Sequence, residues 1–432
     1  MTHGRRTLTD LPNELLFEIF TDVSCSTQVS LCTVSSTIHA IATLVLYRTV
    51  VAQDSARLVK VCKTLATNAI AGQAVRHLFV LVNERTLARV RLGAGRSLYM
   101  SAFCRIIERA LLNMPNVVSI TTLDSTIDGI VLGRCTFPGL QVFYSSFEDG
   151  AATAAFLRRH PDIRTLQLPR GLVDEGDALR DIRLHRLECL SLSSNLLYLL
   201  SARPPLSSLY IYWDPNDANF DEKFAQVAQS CPSVEELKVY QFDWSLPLIS
   251  AIFTNLKGIK SLTIVNTGIR NPGLRKGFIK STKDMLAQST QLHRIAFESV
   301  FGVPADPSHH YVDRWFEAAM MLGEACPSLQ TCSFPSDITF FRLPDDDIWI
   351  PELWRSCGLD WLKAVFDVAD EEDHPIDNID GSLRYALRTF ADSDGELDLG
   401  GFKMFKMPEM RKAIDVITLM GAGNLSIGQG LA

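Results

Sequence analysis

The 432-residue chain has no Cys-x-x-Cys, no basic block and no long apolar run. Ten cysteines are scattered singly, and the closest pairs are Cys25/Cys32 and Cys326/Cys332. Such spacing sets up neither a zinc site nor a disulfide framework, so buried, reduced thiols are expected. The net charge of −7 argues against nucleic acid as a partner. Apolar runs such as Ala40 to Tyr47 are far too short to span a bilayer, so no membrane partner is expected. The N-terminus, Met1-Thr2-His3-Gly4-Arg5-Arg6, has no apolar core of a secretory signal. The expected location is intracellular, cytoplasmic or nuclear.

Catalytic signatures are missing as well. There is no GxSxG, HExxH or GKS/GKT element, and Gly93-Ala94-Gly95 lacks the third glycine of a dinucleotide loop. Asp392 to Leu399 looks like a calcium loop until its positions are counted. The sixth and twelfth places, which need Gly and Glu, hold Leu397 and Lys403. His309-His310 has no partner ligands at metal spacing, and a helix start just after them is the plainer reading. Arg270, Arg275, Lys276, Lys280 and Lys283 form a basic cluster, and Lys403, Lys406, Arg411 and Lys412 another, both read as solvated helix faces. The reading is therefore no enzyme, no cofactor and no metal.

What is present is a globular composition, 47% hydrophobic and 21% charged. Its first organised stretch is Leu8 to Val50. Pro12 suits a first helical turn, with Asp10 as a cap. Leu15, Leu16, Ile19, Phe20 and Val23 then make one apolar stripe. Ser26 or Thr27 can open a second helix carrying Val29, Leu31 and Cys32. Ser35 can open a third, with Ile38, Ile41, Ala42, Val45 and Leu46 on one side. Three short helices cannot cover all of this surface among themselves, so some of it faces another domain or another protein. A plain three-helix cap on the following domain is the alternative.

This stretch resembles the F-box. The residues that carry the resemblance are Leu11-Pro12, Leu15, Leu16, Ile19, Phe20, Leu31, Val34-Ser35, Ile41-Ala42 and Leu46-Tyr47-Arg48. Where that family often has Trp in the third helix, this chain has Ile38. The resemblance implies docking onto the small adaptor subunit of a cullin-RING ubiquitin ligase of the SCF type. It assigns the contact to Leu11, Pro12, Leu15, Leu16, Ile19, Phe20, Leu31, Val34, Ile38 and Ile41.

Beyond the head, Arg48 to Ala52 and Val75 to Val82 read as strands, with a helix capped by Asp54 between them. Then a unit recurs: a helix, often a Pro, then Φ-x-x-Φ-x-Φ with Φ apolar. Clear copies follow Pro161, Pro232 and Pro327, and weaker ones start at Val117, Leu140, Leu187, Leu206, Ile259 and Leu292. Their starts are separated by 23, 23, 24, 19, 28, 25, 33 and 37 residues. Strand and helix alternating at this period predict an α/β fold, an irregular leucine-rich-repeat-like solenoid with a parallel sheet. It is similar to the divergent repeat regions behind fungal F-boxes. An ordinary α/β domain with a coincidental pattern is the alternative. The central apolar residues Leu166, Leu190, Leu209, Leu237 and Leu262 are expected in one core. Asn195 is expected to bond the turn backbone after its strand.

Strand parity places Tyr144, Tyr210, Tyr212, Lys238 and Tyr240 on the open sheet face, flanked by Gln167, Ser191, Ser193, Thr263 and Val265. The five make a candidate target-binding surface. Lys238 there would favour an acidic or phosphorylated target. The expected domains are a head (8–50), a connecting region (51–115), the repeats (116–368) and C-terminal helices with a disordered tail (369–432). The function these readings imply is a non-catalytic substrate-recognition subunit. The alternative is an interaction scaffold outside any ligase.

Overall fold

In a computed structural model, the structure describes residues 8, 11–81, 96–123, 125–172, 178–268, 274, 276–301, 309–335, 338–342, 349–351 and 388. The chain divides into two compact units, Met1–Ser208 and Leu209–Ala432.

The first unit opens with α1 (Asn13–Asp22), α2 (Cys25–Leu31) and α3 (Ser36–Leu46). Pro12 stands one place before α1, at its N-cap. Ser24, and neither Ser26 nor Thr27, opens α2: its hydroxyl accepts from the Thr27 N–H at 3.3 Å. Ser35 opens α3 in the same way, accepting from Ile38 N–H. Both satisfy a donor that a helix start otherwise leaves unpaired.

After the head come β1 (Thr49–Ala52), α4 (Ser55–Thr67), α5 (Ala69–Ala74), β2 (His77–Val80), α6 (Arg96–Leu112) and β3 (Ser119–Thr122). They are followed by α7 (Ser125–Arg134), β4 (Val142–Tyr144), α8 (Gly150–Arg159), β5 (Thr165–Gln167) and β6 (Cys189–Ser193). Asp54 caps α4 as expected. Strands β1 to β6 pair in sequence order, all parallel. A 3-10 helix, Ser194–Ala202, takes the place of an α-helix after β6.

The second unit carries β7 (Ser208–Tyr212), α9 (Phe220–Ser230), β8 (Glu236–Gln241), α10 (Leu246–Asn255), β9 (Ser261–Asn266), α11 (Lys276–Leu286) and β10 (Arg294–Ser299). Then come α12 (His309–Ala325) and β11 (Thr331–Phe334). The helix expected just after His309-His310 includes both residues and begins at His309. Strands β8 to β11 are parallel. The chain then reverses: β12 (Ile338–Arg342) runs antiparallel to β11, and β13 (Trp349–Pro351) antiparallel to β12. This hairpin extension was absent from the sequence reading.

Every copy of the apolar unit begins two residues ahead of a strand. Val117 precedes β3, Leu140 β4, Ile163 β5, Leu187 β6, Leu206 β7, Val234 β8, Ile259 β9, Leu292 β10 and Leu329 β11. The first apolar residue of each is buried, and Leu166, Leu190, Leu209, Leu237 and Leu262 are buried with them. Period-two alternation makes this register all-or-none, because a one-residue slip would turn the whole set outward. At most of these strands one carbonyl just ahead of the strand also accepts two successive N–H groups from the next copy. Arg164 O takes Glu188 and Cys189, and Glu235 O takes Lys260 and Ser261. The result is a mixed α/β chain with a helical head and mostly parallel sheet pairing.

Asn195 does not bond inward; it is exposed on the 3-10 helix. At β9 that role falls to Asn266, fully buried, whose Oδ1 accepts from the Gly268 N–H at 2.8 Å. Gly93 to Gly95, Asp392 to Leu399, Arg270, Arg275, the cluster from Lys403 and the region 369–432 apart from Arg388 lie outside the described residues.

Candidate functional site

The head is a closed miniature core with an apolar ridge left over. Leu16 and Phe20, one turn apart on α1, pack with Ile38, Ile41, Ala42 and Val45 of α3, and Phe17, Leu31 and Cys32 lean on them. Gln28 Nε2 donates to Phe20 O at 2.9 Å and Val23 O at 3.2 Å, tying α2 to the end of α1. His39 Nδ1–H donates to Cys32 O at 2.7 Å, and Arg48 lies 5.4 Å from the Phe17 ring centre. Leu11, Leu15 and Ile19 fall at four-residue spacing along the other side. Leu15 is 46% and Ile19 43% exposed. Val34, Val29 and Leu44 are exposed too.

The structure therefore divides the residues assigned to the adaptor. Leu11, Pro12, Leu15, Ile19 and Val34 are exposed, and Leu31 is half-buried. Leu16, Phe20, Ile38 and Ile41 are buried within the head and cannot touch a partner while it stays closed. That corrects the assignment for these four. One residue along a helix is a rotation of about 100°, so the single stripe in the sequence is two faces in space. Ile38 sits where the family often has Trp, and here its apolar area serves the core.

The second surface is the open face of β7 to β10 in the second unit. Tyr210 Oη donates to Glu236 Oε1 at 3.1 Å. The Tyr212 and Tyr240 rings stack, 4.4 Å between centres. Lys238 Nζ lies 2.8 Å from Glu298 Oε2 and 5.5 Å from the Tyr240 ring centre. Strands β8, β9 and β10 are aligned so that Tyr240, Val265 and Glu298 stand side by side. Lys238 thus reaches across β9 to find its carboxylate. Thr263 and Val265 are buried, as are Ser191 and Ser193 in the first unit, so none of the four offers open surface.

Four of the five residues assigned to the target therefore lie together: Tyr210, Tyr212, Lys238 and Tyr240. Tyr144 belongs to the first unit, half-buried, with its phenol pushed up by burial and then by the nearby Cys189. The Lys238 charge is matched by Glu298, so the argument for an acidic target falls. Glu298 went unnoticed although the same parity, carried one strand further, picks it out.

No group of His, Cys, Asp or Glu among the described residues is arranged to hold a metal ion. Burial pushes the Cys62 thiol up to about 12 and the Cys135 and Cys231 thiols to about 11, far from nucleophilic character. A depression of about 510 Å³ along α11 and α12 is lined by Lys276, Ile279, Arg314, Trp315 and Glu317, with no nucleophile beside a base. Lys276 is paired with Glu317 at 3.1 Å and Lys283 with Glu324 at 2.8 Å. No helix of the described residues is long and apolar enough to cross a membrane.

Residues 8–49 match the family model of the F-box domain. A search of the curated proteins finds no match. An F-box domain supports, in general terms, an adaptor role in an SCF-type ubiquitin ligase, with the ligase's small adaptor subunit as partner.

Proposed function

Starting from an F-box head, we propose that this chain is the non-catalytic substrate-recognition subunit of a cullin-RING ubiquitin ligase. The head, residues 8–50, docks the adaptor subunit. Residues 116–368, a leucine-rich-repeat-like solenoid on this reading, hold a target protein through Tyr210, Tyr212, Lys238 and Tyr240. The target is thereby placed beside a ubiquitin-loaded enzyme in the cytoplasm or nucleus, and proximity raises the rate of a transfer carried out by other subunits.

The observation that carries the reading is the exposed ridge of Leu11, just ahead of α1, with Leu15 and Ile19 on α1, whose opposite face is locked in a closed core. A monomer gains nothing from leaving such a ridge in water, whereas a partner helix or groove covers it. The test is full-length chain with Leu15→Asp and Ile19→Asp, captured on purified adaptor. Burying two carboxylates in an apolar contact costs several kcal/mol, about the whole free energy of micromolar binding. Capture is expected to vanish while the melting temperature is kept, since both positions are exposed. Capture at the wild-type level would leave the scaffold reading instead.

A further inference from the structure

The two units differ in which cation they use. Lys60 and Lys63, both on α4, are the only lysines of the first unit, which has twenty arginines. The second unit has eleven lysines and nine arginines. From residue 64 to residue 222 there are sixteen arginines and no lysine. A preference of the whole chain for arginine would show in the second unit as well, and it does not.

Much of this arginine does work that lysine could do. Arg76 does use its guanidinium on three carbonyls, those of Gln73, Val75 and Asn116. Arg164 is different. It stands just ahead of β5 and pairs at 3.3 Å with Glu188, just ahead of β6. In the second unit Lys260, just ahead of β9, makes the same bridge at 2.6 Å to Glu235, just ahead of β8. The two cations are equally exposed, 48% and 46%, so an ammonium serves this position as well as a guanidinium. Arg134, paired with Glu108 at 2.9 Å, and Arg186, paired with Asp162 at 3.3 Å, are surface bridges of the same kind.

What separates the two cations is reactivity. Both carry the charge, but only lysine loses its proton to become a nucleophilic amine that accepts ubiquitin. In that step the uncharged amine attacks the carbonyl of a ubiquitin thioester. The C–N bond forms, the C–S bond breaks, and the departing thiolate takes up the amine's proton. A subunit that brings a target to such a thioester brings its own amines there too, because proximity does not distinguish them. The head belongs to the first unit, the one poor in lysine.

We propose that the first unit beyond α4 lies within reach of the ubiquitin thioester, and that arginine in place of lysine keeps the ligase from modifying its own receptor. The inference rests on the ligase reading of the head and names how the receptor escapes the transfer it promotes. Acceptor amines are thereby confined to α4 and the second unit.

The test is the full-length chain with Arg134→Lys, Arg164→Lys and Arg186→Lys, assembled with purified adaptor, cullin–RING core and a ubiquitin-loaded enzyme, with no target present. Isopeptide bonds are mapped by mass spectrometry, and the half-life of the same chain is followed in cells. Charge is kept and exposed bridges contribute little to stability, so the melting temperature should match the wild type. Isopeptides are expected at one or more of the three new lysines, with a shortened half-life. The matched variant Arg134→Gln, Arg164→Gln, Arg186→Gln loses the bridges without gaining an amine, and should keep the wild-type half-life. No isopeptide at the three positions, an unchanged half-life, or an equally short one in the glutamine variant would each overturn the inference. Adaptor capture is measured alongside. A wild type that fails to capture it sinks the ligase reading and this inference together; a lysine variant that captures it and stays unmodified at the new positions sinks this inference alone.

Discussion

His160 shows what a single buried side chain contributes to the first unit. Its Nε2 accepts from the Phe137 N–H at 2.9 Å, so its Nδ1–H must donate to Phe156 O, 2.8 Å away. The ring lies 4.0 Å from that of Phe156, centre to centre. Both nitrogens are committed to the neutral tautomer. Burial lowers its pKa from the ordinary 6.5, the bond to Phe156 O opposes that, and Arg159 adds to it. The unfolded chain therefore holds the proton more tightly. This contribution is complete above pH 6.5 and is lost as pH falls below that value. His77, lowered by burial, Arg48 and Arg76, acts in the same sense. Thermal unfolding at pH 7.5 and 5.5 should show a lower melting temperature in acid, with a smaller difference in His160→Gln. An equal difference in the variant would move the effect elsewhere.

At the scale of elements, the C-terminal hairpin is fastened by one close approach. Trp349 of β13 is buried against α12, and a Cβ on Gly323 would come within 2.7 Å of its Nε1. Alanine is worth about 1 kcal/mol over glycine inside a helix. Overpacking a core costs about 1–3 kcal/mol. Gly323→Ala is therefore expected to lower the melting temperature, and a raised one would show that the indole moves aside freely. Leu237→Ala, at the centre of its copy on β8 and fully buried, should cost about 2–5 kcal/mol in denaturant unfolding. A cost below about 1 kcal/mol would mean that this position is loosely packed.

For the whole molecule, the proposed function puts docking and recognition on separate parts of the chain, so they should fail separately. Tyr210→Ala with Tyr240→Ala is expected to lose the target, keep adaptor capture and melt near the wild type. Tyr240 stacks on Tyr212, and Tyr210 is bonded to Glu236. A large loss of stability would therefore mean that these rings serve the sheet and not a partner. Retained target recovery would count equally against the surface.

The sequence by itself determined the head, its cap at Ser35, and the strand positions from Val117 to Phe334. Each depends on local chemistry: a hydroxyl before a helix, a Leu-Pro start, a period of two inside a longer period. Only the tertiary structure decided which half of the α1 stripe is core, because that depends on where α3 lies. It also paired Lys238 with Glu298, 60 residues apart in sequence, and removed the charge that a one-dimensional reading left free. It buried Asn266 where Asn195 had been expected. Local pattern fixes which way a side chain points along its own element; exposure and pairing are properties of neighbours that the chain meets only when it is folded.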